Sequence, residues 1–384
     1  MRGQVIPQQP LWYAIDIESL IAADHPLRDV KRRADAVLVA MDREFRKAYS
    51  KVGRPSVPPE MLLKALLLQA LYSIRSERRL VEEIQVNLMY RWFLDLSLDA
   101  PVWDATSFTT NRERFEKHGL IRSFFDRVVE SAYLEKLASV DHFTVDGTLI
   151  DSYASMKSFR RRDADAVKVR DGSDDGDPGN PTVNFRGEKR SNATHQSLSD
   201  PEALLYRKAA GQPSRLCHSA HALMENRNGL LIDISVAQAD GHAERAEALA
   251  MVERTRERQK VRVRTLGMDA GYDAGPFLHT LEHEKGVVPH LPTRRGKITG
   301  TNEAADARRK ARRRKRNKGY QLSQRIRKRV EEIFGWAKTI GGARRARHVG
   351  RWKIGQHVLL VGTAYNLLRL ARMALREASP AAAA

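Results

Sequence analysis

The apolar positions change their spacing near residue 140, from helical periods to short strand-like runs. Before that point Pro58 and Pro59 lead into Met61, Leu62, Leu63, Ala65, Leu66, Leu67, Ala70 and Leu71. The prolines open a helix, and apolar residues on more than one side place it at the centre of its domain. The helical pattern continues over Arg79 to Val86 and reaches an aromatic-rich turn at Tyr90, Trp92 and Phe93. Asp104 and Ser107 are candidate caps for a helix carrying Arg112 and Arg114, and a further helix spans Leu120 to Leu134. Residues 1–140 therefore read as an all-helical N-terminal domain.

From Phe143 the pattern predicts strands at Phe143 to Ile150, Leu216 to Met224 and Leu230 to Ala237, with Glu225 to Gly229 as the turn between the last two. A helix over His242 to Arg258, a strand over Val263 to Met268, a helix over Gly275 to Glu284 and a strand over Val287 to Leu291 follow. Three strands, helix, strand, helix, strand, helix is the order of an α/β domain with a mixed sheet of the ribonuclease-H-like kind. It is assigned to residues 141–378. Residues 159–213, rich in Asp, Gly, Arg, Asn and Pro, read as an irregular insertion with little core. The last periodic stretch is Ile326, Val330, Ile333, Ala337 and Ile340, at i, i+4, i+7, i+11 and i+14, a stripe that docks a helix.

Charge changes the meaning of that last helix. If it is regular, Glu331 lies about 40° and Lys338 about 20° from Arg327 around the axis, so one carboxylate sits between two cations on one face. Glu332 points about 140° away. The chain of 384 residues has a formal net charge of +20. Residues 294–353 hold 22 Lys or Arg against Glu303, Asp306, Glu331 and Glu332, and 22 minus 4 gives +18. Such a cluster is a footprint for a polyanion, either nucleic acid or an anionic membrane. No apolar run reaches the roughly 18 residues of a membrane span and no signal core opens the chain, which favours nucleic acid. The run Arg312, Arg313, Arg314, Lys315 and Arg316 is a candidate DNA-backbone clamp. Short helices with exposed arginines before residue 140 suit a DNA-reading module, and a plain bundle almost as well. Cys217 is the only cysteine, so an intramolecular disulfide and a thiolate zinc cage are both excluded, and a reducing cytoplasm is expected. His218 and His221 read as strand surface or packing rather than a metal pair.

Three carboxylates stand out against this background. Asp146 lies within an apolar strand, where an ionised group is costly without a cation. Asp269 follows Thr-Leu-Gly-Met at a strand end, where open α/β sheets place ligands. With Glu331 they make a set of oxygen ligands suited to Mg²⁺ or Mn²⁺, and two such ions can serve both sides of a phosphodiester. Asp151 and Asp273 lie beyond these positions and read as structural or as supports to the ligands behind them.

Thr-Val-Asp-Gly-Thr-Leu-Ile, Ala-Ser-Met-Lys-Ser-Phe, His-Ala-Leu-Met-Glu-Asn-Arg-Asn-Gly, Met-Asp-Ala-Gly-Tyr-Asp and Arg-x-x-x-Glu with Lys seven residues on make a combination that resembles bacterial IS5-family insertion-sequence transposases, from about Asp24 to Leu368. The resemblance implies a DDE triad at Asp146, Asp269 and Glu331 on a ribonuclease-H-like fold, with Arg327 and Lys338 beside the glutamate. It implies metal-dependent hydrolysis at transposon ends and transfer of the 3'-hydroxyl into target DNA. The implied partners are terminal inverted repeats, target DNA and a second copy of the chain. The family tyrosine three residues before the arginine is replaced by Gln324, and Tyr320 lies four residues further upstream. Two other readings stay open: a catalytically silent DNA-binding regulator and a ribonuclease-H-like nuclease.

Overall fold

A computed structural model of the chain describes residues 16–50, 52–53, 55–162, 190–207 and 211–378. Eight helices come first: α1 (Ile17–Leu20), α2 (Pro26–Ala40), α3 (Asp42–Ala48), α4 (Pro59–Leu71), α5 (Glu77–Val86), α6 (Leu88–Phe93), α7 (Thr106–Lys117) and α8 (Leu120–Leu134). As its apolar pattern predicts, α4 is buried on all sides from Leu62 to Ala70. Lys64 is buried with it and is accommodated by ion pairs to Asp35 at 2.7 Å and Asp95 at 2.6 Å. The arginines expected to face outward on α7 do not. Arg112 pairs with Glu77, and Arg114 lies over the Tyr49 ring at 4.4 Å while donating to Asn111 at 3.0 Å.

The sheet begins with β1 (His142–Asp151). Then come β2 (Phe159–Arg161), β3 (His195–Ser197), β4 (Leu204–Tyr206), β5 (Arg215–Glu225), β6 (Leu231–Gln238), α9 (Ala243–Gln259), β7 (Thr265–Gly267), α10 (Gly275–His279) and β8 (Val288–His290). One edge of β5 runs antiparallel to β1, and its other edge is shared by β4 and β6, also antiparallel. On its far edge β1 takes β7 in parallel, and β7 takes β8 in parallel. The sheet is therefore mixed, with α9 and α10 as the crossovers that parallel neighbours require. The stretch 159–213 is more ordered than its composition predicts. β2 pairs with β3, β4 joins the main sheet, and Phe159, Ala203 and Leu216 form a small core of their own. The remainder, 163–189 and 208–210, lies outside the described residues.

Helices α11 (Glu303–Arg314), α12 (Lys318–Ile326), α13 (Val330–Thr339) and α14 (Arg351–Ala378) complete the chain. α14 packs on α2, α4, α8 and β6, so one hydrophobic core runs through the helices before residue 140 and the sheet after it. The expected boundary at residue 140 is not a boundary of the core. The stretch 351–376 of α14 is long and apolar enough to cross a membrane, but 61% of its most apolar 18-residue window is buried in the protein, as befits a core helix. Gly362 lets α14 approach the sheet. A Cβ there would stand 2.6 Å from Leu231 Cδ2 and 3.2 Å from Phe125 Cε2.

Burial also makes stability depend on pH. Desolvation holds the His142, His221 and His348 rings down to about 4. A depressed histidine contributes stability that is fully present above its unfolded value of about 6.5 and lost as pH falls toward 4. Each ring adds a slope of up to about 1.4 kcal/mol per pH unit in that window. The thermal midpoint is expected to drop steeply between pH 6.5 and 4, and a flat profile there would contradict neutral buried rings.

Candidate active site

Asp146 sits midway along β1 on the face shared by Thr144 and Thr148. The pairing of β1 with β7 sets Thr144 opposite Gly267, and two further residues bring Asp146 level with Asp269. β7 has ended by then. Asp269 instead opens a tight turn at Ala270–Tyr272 by accepting the Gly271 N–H at 2.7 Å. One Asp146 oxygen accepts the Gly147 N–H at 2.8 Å. The third carboxylate comes from above the sheet. The segment from Arg327 crosses the same face of β1, with Arg327 Nη1 3.9 Å from the other Asp146 oxygen and Lys338 Nζ donating to Thr148 Oγ1 at 2.6 Å.

The approach differs from the regular helix expected over 326–340. Arg327–Arg329 form a 3₁₀ turn between α12 and α13, so the angular placement of Arg327 relative to Glu331 is not that of a continuous α-helix. Val330, Ile333 and Ala337 are buried as their spacing predicts, whereas Ile326 and Ile340 are half-buried. Glu331 is exposed, and its charge reaches Asp146. Glu332 instead pairs with Arg369 at 3.0 Å.

The electrostatics at Asp146 follow from this crowding. Burial pushes its carboxyl upward, and the charges of Asp269 and Glu331 push the same way. The Gly147 N–H and Arg327 oppose them, with a net rise. A hard divalent cation would relieve that repulsion, and three carboxylates are the donor type it prefers. The set fits such an ion in charge and donor chemistry, although as placed no group of three His, Cys, Asp or Glu among the described residues surrounds a single point.

Sequence reasoning missed Glu244, in the first turn of α9. Burial, then Asp269 and Asp146, raise its carboxyl. A Cβ on Gly147 would stand 3.1 Å from His221 Nδ1 and 3.5 Å from Glu244 Oε1, which explains a glycine next to Asp146. It also missed Tyr272, a buried hydroxyl with no hydrogen-bond partner, which burial pushes well up and the charges of Glu244, Asp146 and Asp269 push further. Neither residue belongs to a recognisable motif, and only the position of Glu244 at the start of the helix after the third long strand could have marked it.

The other candidates are accounted for by their contacts. Asp273 is buried, accepts both Arg308 donors at 2.8 Å and the Arg294 N–H at 2.7 Å, and is held low by Arg308 against the upward push of burial. Asp151 pairs with Arg215 at 3.2 Å. Gln324 Nε2 donates to the His290 carbonyl at 2.8 Å and the Met268 carbonyl at 3.4 Å, tying α12 to the ends of β7 and β8. Tyr320 meets the His290 ring edge-on at 6.1 Å. His218 and His221 are buried in β5 rather than on its surface, and His218 pairs with Asp200 at 2.9 Å.

Three of the five cations in the basic run are engaged within the protein, which its sequence did not show. Arg312 donates to the carbonyls of Gly296 and Arg294, both at 2.9 Å, Arg314 pairs with Glu282, and Lys315 donates to the Thr293 carbonyl at 3.2 Å. Arg313 and Arg316 are exposed. Replacing Arg313 and Arg316 with Ala is expected to flatten the salt dependence of DNA binding by up to about 0.9 per lost phosphate contact and to leave the fold intact. Replacing Arg312 and Arg314 should instead lower the thermal midpoint. Equal salt effects from both pairs would contradict this division.

Residues 15–114 match a family described as a transposase domain, and residues 191–367 match the family of the transposase DDE domain. That DDE match includes Asp269 and Glu331, while Asp146 falls between the two matched regions. The match to the transposase domain over residues 15–114 takes in α1 to α6 and most of α7. Among solved structures, the chain is similar to the Mos1 transposase paired-end complex with left transposon end at 9% identity, covering 72% of this chain and 81% of that one, with a TM-score of 0.20. A second is the Mos1 strand transfer complex, at 12% identity, 78% and 82% coverage and a TM-score of 0.19. No curated protein matches the chain.

Proposed function

We propose that the protein is a DDE transposase of the IS5 type on a ribonuclease-H-like fold, cutting DNA at transposon ends and joining the exposed 3'-hydroxyl to target DNA. The observation that carries the reading is that half-buried Asp146 feels the negative charges of Asp269 and Glu331, which come from separate elements of the chain. Asp146 lies on β1 two residues past Thr144, Asp269 lies in the turn two residues past its partner Gly267 at the end of β7, and the charge of Glu331 on α13 acts on Asp146. The sheet order, with an antiparallel β6, β5 and β1 and a parallel β7 and β8, supports the fold assignment. The matched DDE domain supports the reaction class.

Asp146, Asp269 and Glu331 would hold Mg²⁺ or Mn²⁺. Such ions, when bound, activate the attacking water or 3'-hydroxyl and stabilise the leaving oxygen. Arg327 and Lys338 flank the acids and suit contacts to phosphate oxygens. The Gly147 and Gly271 amides fix the two aspartates by hydrogen bonds. The helices before residue 140 would recognise the inverted repeats, and pairing of two ends calls for at least two copies of the chain.

The test is cleavage and joining of duplexes that carry the inverted repeats flanking the gene. Cutting at the repeat boundary followed by joining supports a transposase. Cutting that ignores the boundary would make the protein a nuclease, and binding without cutting would make it a regulator.

A further inference from the structure

The same helix that carries Glu331 toward the sheet forms the wall of a second cleft on its other side. This cleft, of about 440 Å³, is built by three parts of the chain. The turn between β5 and β6 supplies Arg227, the 3₁₀ turn before α13 supplies Arg329, and α14 supplies Arg369, Arg372 and Arg376. Glu332 is the only acid among the lining residues, so five arginines less one glutamate leave +4. Arg369, Arg372 and Arg376 fall at i, i+3 and i+7 and share one face of α14.

Internal bonds hold part of this array in place. Arg329 Nη1 donates to the carbonyls of Asn226 and Arg227, both at 2.8 Å. Arg369 donates to Glu332 at 3.0 Å and to the Tyr365 hydroxyl at 3.1 Å. A guanidinium has five N–H donors, so each keeps some for a ligand. Arg372 and Arg376 are exposed at the outer end of the cleft. The wall between them and α13 is aromatic, with half-buried Trp336 packed edge-on against Tyr365 at 5.8 Å.

Five like charges brought together from three elements repel one another, and a single carboxylate does not balance them. A chain of phosphates would. We propose that this cleft is a second nucleic-acid surface that grips the DNA backbone on the side of α13 away from the three acids, with Trp336 against the sugar edge. The proposal rests on the transposase reading. It assigns this surface to affinity and to the path of the strand, because guanidinium contacts to phosphate carry no base sequence.

The test uses the full-length protein and a short random-sequence duplex, with affinity measured across a salt series. Arg372→Ala with Arg376→Ala should lower the slope of log affinity against log salt by up to about 1.8, at about 0.9 per lost phosphate contact. The paired lysine substitutions should keep most of the slope, and both exposed pairs should keep the wild-type thermal midpoint. A benzophenone side chain introduced at position 372 should yield a protein–DNA crosslink on irradiation. Unchanged affinity and slope in the alanine pair, or no crosslink while the protein is bound to DNA, overturns the cleft and leaves the transposase reading standing. Crosslinking to an added acidic peptide in place of DNA overturns it as well. A wild-type protein that binds no duplex at all sinks both.

Discussion

Asp146→Asn, Asp269→Asn and Glu331→Gln are each expected to reduce strand transfer on the order of 10⁴-fold, the loss seen when one member of a catalytic group that acts as a unit is removed. Each change removes a negative charge from a place where acids already repel one another. The fold should therefore be retained or slightly stabilised, and binding to DNA should persist. Glu332→Gln loses only a half-exposed ion pair to Arg369, a contribution of roughly 0–1 kcal/mol. Its activity should stay within a few-fold of the parent. Single-turnover joining of a pre-cut end, together with a gel-shift titration of the same DNA, separates the two effects. Near-normal joining by the Glu331 variant would remove that residue from the site.

The largest expected loss of stability lies in the turn that supports α13. Glu225 is fully buried and accepts the N–H groups of Ser139 at 3.1 Å, Arg227 at 3.1 Å, Asn228 at 2.9 Å and Leu230 at 3.0 Å. Glu225→Ala removes the acceptor of four amides, two of them, Ser139 and Leu230, in buried bonds, and each buried unsatisfied donor costs about 1–3 kcal/mol. The expected destabilisation is on the order of 4 kcal/mol or more. Function should fall with it, because Asn226 exchanges hydrogen bonds with Thr144, two residues before Asp146, and the Asn226 and Arg227 carbonyls anchor Arg329 beside α13. Denaturant unfolding measures the first effect. A change below about 1 kcal/mol would mean that water replaces the carboxylate.

The strands were legible because their apolar runs are short and bounded by turn residues. The expected run Phe143 to Ile150 differs from β1 by one residue at each end. The turn at Glu225 to Gly229 was also legible, but not the use of Glu225 as an acceptor for four amides, since Ser139 lies 86 residues away. Long-range pairing likewise hid the fate of the cations. Arg308 meets Asp273 across 35 residues and Arg314 meets Glu282 across 32, so a run that reads as free charge is partly internal scaffold. The 3₁₀ turn at Arg327 was illegible for a different reason. No proline or glycine marks it, and the apolar stripe continues through it. For the three acids, strand positions and order along the chain suggested the set, and the parallel pairing of β1 with β7 explains how residues so far apart in sequence as Thr144 and Gly267, each two before one of the aspartates, become neighbours. Glu244 had no such mark.

Joining of a pre-cut inverted-repeat end to a plasmid, with metal-stripped protein and then with added Mg²⁺ or Mn²⁺, tests the central claim most directly. The account predicts no product in chelator, joined product on adding either ion, and none from the Asp146, Asp269 or Glu331 variants under any of these conditions. Joining that proceeds in chelator, or a DNA strand trapped covalently on the protein, would contradict a site built from these three carboxylates.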